Sequence, residues 1–120
     1  MNAKEHFKFE ELRVYQEALL FSGNIYNETK QFPKEEVFGL TNQIRRASVS
    51  IAINIAEGSS RTKKDFRHFL DMSKGSCFEC VGILAIAYKQ KYISEYKYSQ
   101  LYSQCLSLTK MINALKTSLR

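Results

Sequence analysis

A chain of 120 residues, 44% apolar and 25% charged, has the composition of one folded domain and excludes a disordered segment. Its longest mainly apolar runs, 47–56 and 80–88, fall far short of the roughly 20 residues of a membrane span. No apolar secretion signal opens the sequence, so the expected compartment is the cytoplasm, and three cysteines, an odd number, do not make a disulfide framework.

The first eight residues mix charge and polarity without a period, so a loose arm is expected at 1–8, within a single domain spanning 1–120. A first helix is predicted from Glu10 to Lys30, with Leu12, Tyr15, Leu19, Ser22, Tyr26 and Thr29 on one stripe. Val14, Ala18, Phe21 and Ile25 lie beside that stripe, and Gly23 hints at close packing. Phe32-Pro33 ends the helix, because the residue before proline disfavours the helical region.

The second helix, predicted from Lys34 to Glu57, is the one around which the chain is organised. Val37, Leu40, Ile44, Ala47, Ile51 and Ile55 recur at steps of three and four as an apolar stripe. Gln43, Arg46, Ser50, Asn54 and Glu57 form a polar stripe beside it. Val49, Ala52, Ile53 and Ala56 make a second apolar face, which favours burial on two sides. Two arrangements meet that need: the second face is an oligomer interface, or the helix is fully enclosed by its own chain. For so short a chain the oligomer interface is the preferred reading. Glu35 and Glu36 suit the positive end of the helix, and Gly58 suits a left-handed cap at its close.

Thr62 is a predicted N-cap, with Asp65 three residues on, for a third helix from Lys63 to Gln90. Its core stripe is Phe66, Phe69, Leu70, Ser73, Cys77, Cys80, Val81, Leu84 and Tyr88. Gly75-Ser76 and Gly82 form a narrow face. Across it Glu79 is expected to meet Gln43, Arg46, Ser50, Asn54 and Glu57 in a buried polar network. After the link Lys91-Tyr92-Ile93, Ser94 caps a fourth helix from Glu95 nearly to the end. Leu101, Cys105, Leu108, Ile112, Leu115 and Leu119 form its heptad seam. Four long helices with short links predict an all-α, antiparallel up-and-down four-helix bundle.

Catalysis finds little support. Cys77 and Cys80 fall mid-helix on the core stripe, where thiols pack as small hydrophobes, and a four-ligand zinc site would have only Cys105, His6 and His68 to draw on besides. His68 and Asp71 are three apart with no nucleophile placed beside them, and no phosphate-binding glycine loop is present. The expectation is no enzyme, no metal and no cofactor.

Charge says more. Residues 1–40 hold five Lys/Arg against seven Asp/Glu, and residues 41–120 hold thirteen against five, which leaves +6 on the whole chain. Arg45 lies on the second helix, while Arg61, Lys63, Lys64 and Arg67 cluster at the next turn and helix start. Basic groups at a helix start suit phosphates, so these five are the candidate nucleic-acid-binding residues. A merely solvated basic corner is the alternative.

Phe32-Pro33, Glu36, Gly39-Leu40, Gln43, Arg45-Arg46-Ala47, Ser50 and Asn54-Ile55-Ala56-Glu57-Gly58 resemble the signature of the bacterial four-helix-bundle family. That family is also called the 23S rRNA-intervening-sequence or ribosomal-protein-like family. Phe66, Phe69-Leu70, Gly75-Ser76 and Glu79 continue the resemblance, which covers residues 9–90. Where members often carry Gly-Tyr before the last helix, this chain has Lys91-Tyr92. The resemblance implies a bundle assembled as a homopentameric barrel and no catalysis. Members are encoded within insertions in large-subunit ribosomal RNA genes. Related accessory proteins of retroelements bind a reverse transcriptase and nucleic acid through a basic surface. The expected function is therefore non-enzymatic RNA or DNA binding by a homo-oligomer, most simply of RNA. The alternative is a scaffold that recruits a protein partner without affinity for nucleic acid. No membrane partner is expected.

Overall fold

Apolar residues at three- and four-residue steps, with one proline to interrupt them, close four helices. The computed structural model describes residues 5–120, among which there is no strand. The helices are α1 (Arg13–Thr29), α2 (Leu40–Gly58), α3 (Lys63–Lys89) and α4 (Glu95–Ser118). Short 3₁₀ turns at Lys8–Glu11 and Lys34–Glu36 precede α1 and α2. Each helix packs on its two neighbours around the bundle, and the backbones of the diagonal pairs stay apart. Polar ties fix the directions. Thr29 with Arg45 and Ser22 with Ser48 join α1 to α2, while Arg67 with Leu119 and Asp71 with Lys116 join α3 to α4. In each pairing one number rises as the other falls, so neighbours run antiparallel.

The core stripes of α3 and α4 hold in most positions, with Phe69, Val81, Tyr88, Leu115 and Leu119 half-buried and Ile83 and Ala87 added to the α3 core. Phe66, Leu70, Ser73, Cys77, Cys80 and Leu84 are buried, as are Leu101, Cys105, Leu108 and Ile112. Thr62 accepts from the Asp65 amide at 3.2 Å and Ser94 from the Lys97 amide at 3.1 Å, as their cap roles require. On α1 the core side is Val14, Ala18, Phe21 and Ile25, ending in Thr29, whereas Leu19 and Tyr26 face water. The stripe expected to lead is thus the flank.

Of the expected arm, residues 1–4 lie outside the described residues and residues 5–8 are exposed. Phe7 stacks on Phe9, and Phe9 meets Tyr15 edge-on at 4.9 Å between ring centroids, so the turn at Lys8–Glu11 is pinned to α1. Gly58 does not take a left-handed conformation. It stays helical, and the position needs glycine for room: a β-carbon there would lie 2.5 Å from Phe69 Cβ and 2.9 Å from Phe66 Cδ1. Its missing side chain lets α3 close against the last turn of α2. Gly23, Gly75 and Gly82 are the converse, since a β-carbon at any of them meets nothing within 4 Å.

Lys34–Glu36 does not join α2 as a continuous helix. Glu36 instead turns back, its Oε1 accepting from the Leu40 amide at 3.2 Å and its Oε2 from the Tyr92 hydroxyl at 2.9 Å. One carboxylate thus caps α2 and ties it to the α3–α4 link. That link is a Schellman closure. The Tyr92 amide donates to the Ala87 carbonyl at 2.9 Å and the Lys91 amide to the Tyr88 carbonyl at 3.0 Å. Lys91 sits at φ 64°, the left-handed position a glycine would occupy in such a motif.

Candidate nucleic-acid interface

The α2–α3 turn is built by its own backbone. The Ser59 and Ser60 hydroxyls donate to the Ala56 and Glu57 carbonyls at 2.7 and 2.8 Å, and the Arg61 amide reaches the Gly58 carbonyl at 3.0 Å. The turn projects Arg61 outward and starts α3 at once, so Lys63 and Lys64 stand exposed on its first turn. Neither lysine has an ion-pair partner among the described residues. Arg61 lies over the Phe69 ring at 5.2 Å and only 3.9 Å from Glu57, both side chains half in water, so the pair does little to neutralise it. The free end of a 27-residue helix adds a positive field at the same place.

Arg67 is turned differently. Its Nη1 donates to the Leu119 carbonyl at 2.8 Å, which holds the end of α4 against the start of α3. Between those ends lies an open cleft of about 650 Å³, lined by Arg67, Asn113, Lys116, Thr117 and Arg120. Lys116 is paired to Asp71 there. Lys116 and Arg120 were not singled out from the sequence. The readable signal was their four-residue spacing on the last turn of a helix that must end beside the start of α3.

Arg45 does not belong to this group. Its Nε donates to Thr29 Oγ1 at 2.8 Å, its Nη2 to the Tyr26 carbonyl at 3.3 Å, and its guanidinium lies 4.7 Å from the Tyr26 ring centroid. It closes the end of α1 on the start of α2. At 1.5 Å per residue it stands about 20 Å along α2 from the basic turn.

The buried polar network is also corrected. Gln43, Arg46 and Glu57 on α2 are exposed, as is Glu79 on α3, whereas Ser50 and Asn54, midway along the same α2 stripe, reach the α2–α3 seam as expected. Charges placed in that seam would need partners to offset their desolvation. Hydroxyls and an amide fill it instead. Ser73 Oγ donates to the Ile51 carbonyl at 2.8 Å, Ser76 Oγ to Ser50 Oγ at 3.0 Å, and Asn54 Nδ2 to Ser50 Oγ and the Ser50 carbonyl at 2.9 Å. The second apolar face of α2 divides as well. Ala52, at 3% exposure, belongs to the protomer's own core, Val49 and Ala56 are half-buried, and Ile53 remains 53% exposed.

Elsewhere the chemistry is quiet. Burial pushes the Cys77 thiol from 9.0 to about 11 and the Cys105 thiol to about 12, and raises Cys80 further in the same direction. Such thiols are poor nucleophiles. His68 is exposed and Asp71 is engaged by Lys116. Among the described residues no three His, Cys, Asp or Glu side chains could hold a metal together, and no helix is long and apolar enough to cross a membrane.

A sequence model of the 23S rRNA-intervening sequence protein family matches residues 10–114. The chain belongs to that family. No curated protein matches it. The crystal structure of a protein of unknown function from the S23 ribosomal protein family of Bacteroides thetaiotaomicron is similar, with a TM-score of 0.80 and 24% identity over 87% of this chain and 95% of that one. At that identity the likeness speaks for the fold. The intervening-sequence family match takes in all of α1 to α3 and most of α4, so it includes Arg61, Lys63, Lys64 and Arg67 but stops before Lys116.

Proposed function

We propose that this intervening-sequence protein is a non-enzymatic, cytoplasmic, self-associating nucleic-acid-binding protein with RNA as its partner, and that five copies close into a ring. The observation that carries the reading is the basic turn: Arg61, Lys63 and Lys64 stand exposed together at the start of α3, in excess of the exposed Glu57 and Asp65 near them and beside the Arg67 and Arg120 cleft. Phosphates are attracted to such a surface without base recognition, and displaced counterions make the affinity salt-dependent. Repetition turns one weak corner into linked contacts along one polyanion. Five copies would carry five times +6, or +30. The second apolar face of α2, on which Val49 and Ala56 stay half-buried and Ile53 53% exposed, is the surface that supports self-association. The test is a mobility-shift titration of a mixed-sequence RNA on the parent and on the Arg61/Lys63/Lys64→Ala variant. Binding lost in an assembled variant supports the reading. No binding by the parent at low salt contradicts it and favours a protein scaffold.

A further inference from the structure

Phe7 is an exposed ring that its surroundings hold in place. It is 72% exposed, yet it stacks on Phe9 at 5.8 Å between centroids and 24° between planes. Its amide donates to Glu10 Oε2 at 3.0 Å, and its carbonyl accepts from the Glu10 amide at 3.1 Å. A ring fixed in this way loses little ordering entropy when a flat ligand meets it. Phe7 also lines an apolar cleft of about 490 Å³, together with Lys8, Phe9, Phe66, Ser59 and Ser60. That volume lies within the roughly 300–1,000 Å³ of small-ligand sites. Ser59 and Ser60 belong to the α2–α3 turn, and the next residue is Arg61. The aromatic cleft and the basic turn are therefore one continuous surface.

We propose that this cleft stacks a nucleobase of the strand whose phosphates meet Arg61, Lys63 and Lys64, an attachment open to a single strand and closed to a duplex. The inference rests on the nucleic-acid reading above. Cations that track a backbone beside aromatic rings that take its bases are the two parts of a single-strand site. In a duplex the base faces are covered by their neighbours, so only the phosphates remain to be met. The spacing suits one strand. Lys63 lies three residues beyond Ser60, at most about 11 Å along the chain. That is the rise of about three stacked nucleotides at about 3.4 Å each. Charge favours the same occupant. Lys8 is the one charged residue in the lining, and it is exposed with no ion-pair partner among the described residues. Three phenyl rings beside free cations suit a flat ring on an anionic backbone better than the aliphatic side chain of a protein partner. Stacking asks only for a ring face, so it adds affinity without selecting a base sequence.

The test is fluorescence anisotropy at low salt with three labelled probes: a mixed-sequence single-stranded RNA, an abasic strand of the same length, and the RNA duplex. The parent should bind the single strand at least ~5-fold more tightly than the abasic strand. Phe7→Leu keeps an apolar contact with Phe9 but has no ring. It should lose that margin on the single strand and bind the abasic strand and the duplex as the parent does. Phe7→Tyr keeps the ring and should keep the margin. Stacking releases no counterions, so the slope of log affinity against log salt should be the same for all three proteins. Equal affinity of Phe7→Leu and the parent for the single strand overturns base stacking and leaves the phosphate surface standing. So does a loss in Phe7→Leu that is as large on the abasic strand or the duplex. A Phe7→Leu protein of altered mass in light scattering overturns it too, and assigns the cleft to a contact between copies. No binding of any probe by the parent overturns the nucleic-acid reading itself, and this inference with it.

Discussion

Lys91 holds a left-handed backbone at φ 64° for the sake of the Schellman closure, a conformation in which a β-carbon is crowded. Lys91→Gly should therefore stabilise the protein by up to ~1 kcal/mol in urea denaturation. Lys91→Val should destabilise it, since a β-branched side chain tolerates positive φ least. Gly58 and Gly23 make an opposed pair. Gly58→Ala forces a β-carbon onto Phe69 and should cost about 1–3 kcal/mol, as overpacking does. Gly23→Ala, with open space around it, should gain about 0.5–1 kcal/mol. The thiols give a pH dependence. Their folded-state pKa values lie above 9.0, so the neutral form stabilises the fold fully below pH 9. Above that pH the unfolded chain loses protons that the folded chain keeps, and stability falls as pH rises from about 9 through about 11 to 12. A urea midpoint measured across this range should drop, and drop less in Cys77→Ala than in the parent.

At the scale of elements, two arginines separate holding the bundle from meeting a ligand. Arg45→Ala removes charge-assisted bonds that tie α1 to α2 and should cost about 1.5–3 kcal/mol while leaving RNA affinity unchanged. Glu57→Ala should stay within about 0.5 kcal/mol, because its side chain is half in water and its partner Arg61 is nearly 4 Å away. Thermal melts paired with mobility shifts check both. The contrast also shows where the sequence was legible. Periodicity names the residues that share a helix face, so the α3 and α4 cores and the caps Thr62 and Ser94 could be read directly. It does not say which face a neighbour covers. On α2 a single stripe divides: Ser50 and Asn54 reach the seam, while Gln43, Arg46 and Glu57 at the same spacing stay outside. Ala52 likewise shares the spacing of the outward face, yet it is buried in the chain's own core. Arg45 was adjacent in type to the basic turn and distant in space, a separation that only the length of α2 reveals.

The whole molecule sets basic residues at the end of the bundle where α2 ends, α3 begins and α4 ends, away from the Arg45 tie and away from the buried thiols. If that end engages phosphates, its affinity must follow the salt concentration and not the base sequence. Ring formation multiplies the contacts per ligand without altering the chemistry of any one. The most direct measurement is the slope of log affinity against log salt for one single-stranded RNA, on the assembled parent and the assembled Arg61/Lys63/Lys64→Ala variant. Each phosphate contact of a single strand contributes about 0.7 to the slope, so the three substitutions should flatten it by at least ~2. A parent slope near zero, or a variant slope equal to the parent's, would contradict the assignment of this surface to nucleic acid.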